Sequence, residues 1–262
     1  MIFYCKPYLN TDNYGIPVYS DESMEKAITF AKENNCQISV HAMGGRAIDR
    51  AIDRFYNEDG FQYIDTQSVN VEGTEHTSKE NLVHRKIVVP RLRLEHLTEP
   101  GVNAMEKAAE KGFAFVCQPI FAYCEIETYL KNLGKDRIKG LYPFKSILDS
   151  GVKMCFSTDA PATSWAVPSD PFSNLKSAVT KYAYEGTDIG QEQRIDIETA
   201  IRLYTKEAAE ISGFPELGMI KEGYEAGVIV LSEDIFGIDP MRIDEVNVEE
   251  TYIKGEKIYS IK

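Results

Sequence analysis

Short apolar runs and amphipathic helical patterns alternate along most of this chain, and that alternation constrains its fold more than any other feature. Residues 37–41 read as a strand, with Ile38 and Val40 on one face and Ser39 and His41 on the other. Residues 91–96, 113–118 and 152–159 repeat the strand pattern. Helical spacing precedes or follows each strand. Ser20 can cap a helix carrying Met24, Ala27, Ile28 and Ala31, with Asp21 and Glu22 in its positive first turn. Ala47, Ile48, Ala51, Ile52 and Phe55 form one apolar stripe, residues 102–111 a further helix, and Pro143 to Gly151 another. Asp170-Pro171 reads as an N-cap and first turn leading into Leu175, Ala178, Val179 and Tyr182. A long helix over 196–212 stops at Gly213. Strands joined by crossover helices imply a parallel sheet in an α/β fold, in barrel or doubly wound form.

Two stretches break the rhythm. Residues 57–85 are polar, hold Gly60 and Gly73, and read as a long excursion or loop that includes His76 and His84, both expected to be solvated. After Gly213, glycines at 218, 223, 227, 237 and 255 punctuate short β-type runs at 228–231 and 251–253. The expected organisation is therefore an α/β part over 1–213 and a small β-rich segment over 214–262.

Charge narrows the function. The 262 residues include 29 Lys and Arg against 41 Asp and Glu, a net charge of −12. Neither nucleic acid nor an anionic membrane surface is an expected partner, because both require a basic face. No apolar run approaches the ~18 residues of a spanning helix, and residues 1–10 lack the basic-then-apolar layout of a secretory signal. Cys5, Cys36, Cys117, Cys124 and Cys155 contain no CxxC pair, so free thiols in a reducing cytoplasm are expected. Walker-type, GxGxxG and GxSxG elements are absent, which argues against nucleotide binding and serine hydrolysis.

His41, His96 and Asp159 each fall at the C-terminal end of a strand, the edge where (β/α) barrels collect their active sites. Imidazole and carboxylate suit zinc, and a catalytic zinc keeps one position open for water. Each residue also has a plain structural reading: a hydrogen-bonded core histidine, or an aspartate starting the turn at Ala160-Pro161. Arg93 and Glu95 alternate with Leu92, Leu94 and His96; they are expected to face the helix layer, where burial would require partners and a salt bridge is expected.

Several stretches carry a resemblance. Val40-His41-Ala42-Met43-Gly44-Gly45-Arg46-Ala47, Arg93-Leu94-Glu95-His96, Val116-Cys117-Gln118-Pro119 and Phe156-Ser157-Thr158-Asp159-Ala160-Pro161 resemble the amidohydrolase superfamily, in its YtcJ-like branch. Leu217 to Gly223 and Val228 to Leu231 resemble that family's closing strands. The resemblance implies that His41 and His96 end barrel strands five and six as metal ligands. It also implies that Asp159 is the strand-eight ligand and proton shuttle. Gln118, at the end of strand seven, is expected to face substrate or to hydrogen-bond across the barrel mouth; Trp165 is expected to line the pocket or simply to pack. The implied activity is hydrolysis of a non-peptide C–N bond by metal-bound hydroxide on a small-molecule substrate, with a divalent cation, zinc foremost.

The chain also departs from the pattern. Gly44-Gly45 stands where the family has Gly-Asp, and Ala226-Gly227 where it has Ala-Asp. The histidines are His41, His76, His84 and His96, so the His-x-His pair of the first barrel strand is missing. The chain thus resembles the C-terminal half: about four βα units of a partial TIM-type barrel, with the β-rich end of a composite β-sandwich. Four units cannot close an eight-stranded barrel, so unpaired strand edges are expected to be buried by a homo-oligomer, most simply a dimer, or by a separate N-terminal chain. A catalytically inactive scaffold or regulatory protein is the alternative reading.

Overall fold

Four parallel strands carry the rest of the molecule: β3 (Ile38–Ala42), β6 (Leu92–His96), β7 (Ala114–Cys117) and β8 (Lys153–Phe156), adjacent in the order β3-β6-β7-β8. This computed structural model describes residues 2–66, 87–167, 169–214 and 216–261; His76 and His84 lie outside them. The register aligns Val40, Leu94, Phe115 and Met154 in one row across the sheet, and all four are buried. The face of that row packs on α2 (Gly45–Tyr56) and α3 (Val102–Lys111). The expected stripe of α2 is the one buried there, through Ala47, Ile48, Ala51, Ile52 and Phe55.

The opposite face carries Ser39, Arg93, Glu95, Ala114, Val116 and Cys155. Leu92 and Leu94, not Arg93 and Glu95, therefore meet α2 and α3, because strand side chains alternate and the leucines have the larger apolar area to bury. An expected salt bridge does form, and it joins the two residues to each other: Arg93 Nε lies 2.8 Å from Glu95 Oε1, and Ser39 Oγ donates to the same oxygen at 2.6 Å. Across Ala114, Val116 and Cys155 this face is covered by Ile211 of α10 (Lys206–Ser212).

At the start of the chain, β1 (Ile2–Phe3) pairs with β2 (Gly15–Ile16) and lies beside the end of β3, where Phe3 N donates to Met43 O at 2.9 Å. Next comes α1 (Asp21–Glu33), capped by Ser20 as its sequence demands: the hydroxyl accepts from Ser23 N at 3.1 Å. Part of the stretch expected to be a loop is strand, since β4 (Tyr63–Thr66) pairs antiparallel with β5 (Ile87–Pro90). Between β7 and β8 run α4 (Pro119–Cys124), α5 (Ile126–Leu133), α6 (Lys135–Ile138) and α7 (Phe144–Asp149). Asp170 caps α8 (Pro171–Thr180) by accepting from Phe172 N at 2.8 Å.

The long helix expected over 196–212 is two helices, α9 (Ile197–Tyr204) and α10, broken at Thr205. Thr205 Oγ1 donates to Ile201 O at 2.8 Å, a competing bond of the kind that bends helices. Beyond it, β9 (Val228–Leu231), β10 (Val248–Ile253) and β11 (Glu256–Ser260) form an antiparallel sheet in the order β11-β10-β9. Ile229, Ile253, Tyr259 and Ile261 remain exposed there. Among the described residues no barrel closes, and no helix is long and apolar enough to cross a membrane.

Candidate functional site

His41 and His96 lie on adjacent strands but one position out of register, because His96 pairs with Ala42. Regular alternation would point their side chains to opposite faces. The rings nevertheless meet edge to face, with centroids 4.4 Å apart. The backbone reconciles the two facts: His96 and Leu97 have φ of 77° and 57°, so the strand ends in a left-handed turn. Left-handed backbone is costly for residues other than glycine and collects at functional sites. Asp159, three residues beyond β8, is also left-handed, at φ 55°.

Both imidazoles are held neutral. Burial pushes each pKa down to about 4, so at neutral pH each ring keeps a lone pair available to a cation. Asp159 stands within electrostatic reach of His41; burial raises its carboxyl pKa and the histidine opposes the rise. His41 thus meets His96, and Asp159 lies within electrostatic reach of His41, at the C-terminal edge of the sheet. Among the described residues, however, no group of three or more His, Cys, Asp or Glu side chains is drawn together tightly enough to hold a metal ion. The donor types fit a divalent cation, and the two imidazoles form its compact part.

Gln118, at the end of β7, is almost fully buried at 1% exposure. Its Nε2 donates to Ser157 Oγ at 3.0 Å and to Val116 O at 3.3 Å, which ties the ends of β7 and β8 together. Trp165, on the loop that follows Asp159, packs with Tyr123 and Tyr184, ring centroids 5.2 and 5.8 Å away.

Two neighbours of the site had no signal in the sequence. The Phe121 ring packs on His96 at 5.4 Å, set there by the first turn of α4. Thr98 is fully buried, and its hydroxyl accepts from Gly44 N at 2.7 Å, joining the turns after β3 and β6. The backbone is crowded where Gly45 departs from the family's aspartate. A Cβ on Gly44, at φ 87°, would stand 2.6 Å from Phe3 O, and one on Gly45 would stand 2.7 Å from Cys5 Sγ. Cys5 fills the space an aspartate at position 45 would need.

A parallel α/β sheet with two neutral imidazoles in contact at its C-terminal edge defines the class: a β/α protein with titratable side chains at its strand ends. The chain belongs to the Amidohydrolase family, whose model matches residues 3–259. It is 26% identical over 249 residues to YtcJ of Bacillus subtilis (strain 168), which is named as an amidohydrolase; the match covers 94% of this chain and 41% of that protein. It is 24% identical over 244 residues to the N-substituted formamide deformylase of Arthrobacter pascens, covering 92% and 40%. Its fold is similar to that of a metal-dependent hydrolase from Pyrococcus horikoshii, with TM-score 0.70, 23% identity, and coverage of 91% of this chain and 42% of the other. The chain therefore spans about two fifths of the length of the relatives it matches.

Proposed function

We propose that this chain is the C-terminal half of a metal-dependent amidohydrolase that cleaves a non-peptide C–N bond in a small-molecule substrate. The observation that carries this reading is the contact of two neutral imidazoles, centroids 4.4 Å apart, beside Asp159 at the edge where such sheets work. His41, His96 and Asp159 would hold a divalent cation, zinc by preference, since imidazole and carboxylate both suit it. When bound, the cation would lower the pKa of a coordinated water to about 7 and polarise the substrate carbonyl. Asp159 takes the proton from the attacking water and returns it to the departing amine nitrogen, so the C–N bond breaks without expelling an amide anion. The formamide deformylase relative supports an amide-type substrate.

The same reading makes residues 1–213 about four βα units of a partial TIM-type barrel, and 214–262 the β-rich end of a composite sandwich. Open strand edges and the exposed Ile229, Ile253, Tyr259 and Ile261 call for a second copy or a separate N-terminal chain. Five free cysteines support a reducing, cytoplasmic setting. Hydrolysis of N-alkyl formamides, assayed with and without added zinc, tests the function. The expected result is zinc-dependent amine release that Asp159→Asn abolishes; release indifferent to zinc and to Asp159→Asn would overturn it.

One observation favours the second reading, an inactive scaffold or regulatory protein: no group of three or more metal-type side chains is tightly gathered among the described residues. That reading predicts no amine release at any zinc concentration, while the fold remains intact.

A further inference from the structure

We propose that Tyr123, Trp165 and Tyr184, with the carboxylates of Glu125 and Glu127, form a binding site for a small alkylammonium cation. Three separate segments each supply one ring: Tyr123 belongs to α4, Trp165 to the loop after Asp159, and Tyr184 to the stretch that follows α8. The rings are inclined to one another at 74°, 53° and 64°, with centroids 5.2, 5.8 and 6.4 Å apart. Tyr123 is buried, Trp165 half-buried and Tyr184 46% exposed, so the group opens from the core to the surface. Hydrogen bonds join the segments: Tyr184 N donates to Tyr123 O at 3.2 Å, and Cys124 Sγ lies 3.4 Å from Thr163 Oγ1. The carboxylates are held beside the rings. The Tyr184 hydroxyl donates to Glu127 Oε1, which lowers that carboxyl's pKa and keeps it ionised, and Ser164, next to Trp165, hydrogen-bonds to Glu125. Among the described residues no Lys or Arg pairs with either carboxylate.

Other rings of the chain show what this group lacks. Arg46 lies over Tyr14 at 4.3 Å, Arg137 over Tyr4 at 4.5 Å, Lys111 over Tyr56 at 4.8 Å and Lys257 over Tyr252 at 5.5 Å. Ring faces attract positive charge, and there the chain supplies its own. Among the described residues no Lys or Arg lies over Tyr123, Trp165 or Tyr184, although indole is the ring that attracts cations best. Lys176 is held at 2.8 Å by Asp244, which also accepts from the Tyr123 hydroxyl at 3.2 Å. The rings and the two carboxylates thus offer negative potential that no cation of the chain meets. Their chemistry selects the ligand. A compact ammonium keeps its water, whereas an ammonium carrying methyl groups is weakly hydrated and packs its apolar surface on the rings. This site rests on neither the metal nor the reaction proposed for the strand ends.

Trp165 is the only tryptophan of the sequence, so its fluorescence reports binding at this site. Choline titrated into the metal-free chain should change that fluorescence saturably in the millimolar range, where sodium chloride at matched ionic strength does not. Dimethylbutanol, the uncharged carbon isostere of choline, should bind about tenfold more weakly. Tyr184→Leu, at an exposed position, should weaken choline binding about fivefold. Glu125→Gln combined with Glu127→Gln should do the same while leaving the isostere's binding unchanged. Equal binding of choline and its isostere, a change that sodium chloride reproduces, or no saturable change overturns the inference. Should a variant fail to fold, the comparison of choline with its isostere on the wild-type chain decides. Choline binding by a chain that binds no zinc and releases no amine upholds this site and counts only against the metal-dependent reaction.

Discussion

Gly45 and Cys5 exclude each other's bulk, and the pair can be tested as a pair. Gly45→Ala should require the exposed Cys5 side chain to turn aside and so destabilise the chain modestly, by about 1 kcal/mol or less. Cys5→Ala in the same molecule should recover most of that loss, because the clashing sulfur is gone. Urea unfolding of both single variants and the double variant reads the coupling, and simple additivity would contradict the steric account. Lys181 gives a second test at this scale. It is fully buried, its Nζ donates to Leu141 O and Tyr142 O at 2.9 and 3.0 Å, and burial pushes its pKa from 10.5 down to about 7. Between those values the unfolded chain holds the proton and the folded chain releases it, so stability should rise with pH from about 7 towards 10. Lys181→Met should flatten that rise, as read by urea midpoints across the window. Strand-end placement made His41, His96 and Asp159 legible as candidates in the sequence. The contact of the two rings was not legible, since it depends on a left-handed turn at His96 that residue type does not announce.

At the scale of elements, the stretch before α1 is tied to the α5–α6 region by one cluster. Arg137 makes a two-pronged pair with Glu99, Nε to Oε1 at 2.6 Å and Nη2 to Oε2 at 2.7 Å. It also donates to Pro7 O at 3.0 Å and lies over the Tyr4 ring at 4.5 Å. The pair is mostly covered, with side chains 12% and 20% exposed. Glu99→Gln should therefore cost about 1–3 kcal/mol, more than a surface pair would, and should raise the hydrogen exchange of residues 4–9. An unchanged unfolding midpoint would count against the tie. Helix boundaries here followed local chemistry wherever a cap or stripe was strong, as at Ser20, Asp170 and the buried face of α2. They failed where tertiary contact decides. The break at Thr205 depends on its back-bond to Ile201 and on Gly218 lying so close that a Cβ there would stand 2.6 Å from the Thr205 carbonyl. The β4–β5 pairing joins residues far apart in sequence across a polar stretch, where period carries no information.

For the whole molecule, the open sheet and the exposed apolar residues of the C-terminal strands predict self-association. Sedimentation equilibrium at micromolar concentration should give a dimer, and a lysine at Ile229 together with one at Tyr259 should shift it towards monomer. A stable, well-folded wild-type monomer would refute the prediction. The central claim is that the rim binds one kind of ligand, a divalent cation, through His41, His96 and Asp159. Equilibrium dialysis against zinc tests it most directly, comparing the wild-type chain with His41→Ala and His96→Ala variants verified as folded by circular dichroism. The account predicts a site in the wild type that either substitution removes; equal zinc binding by all three chains would contradict it.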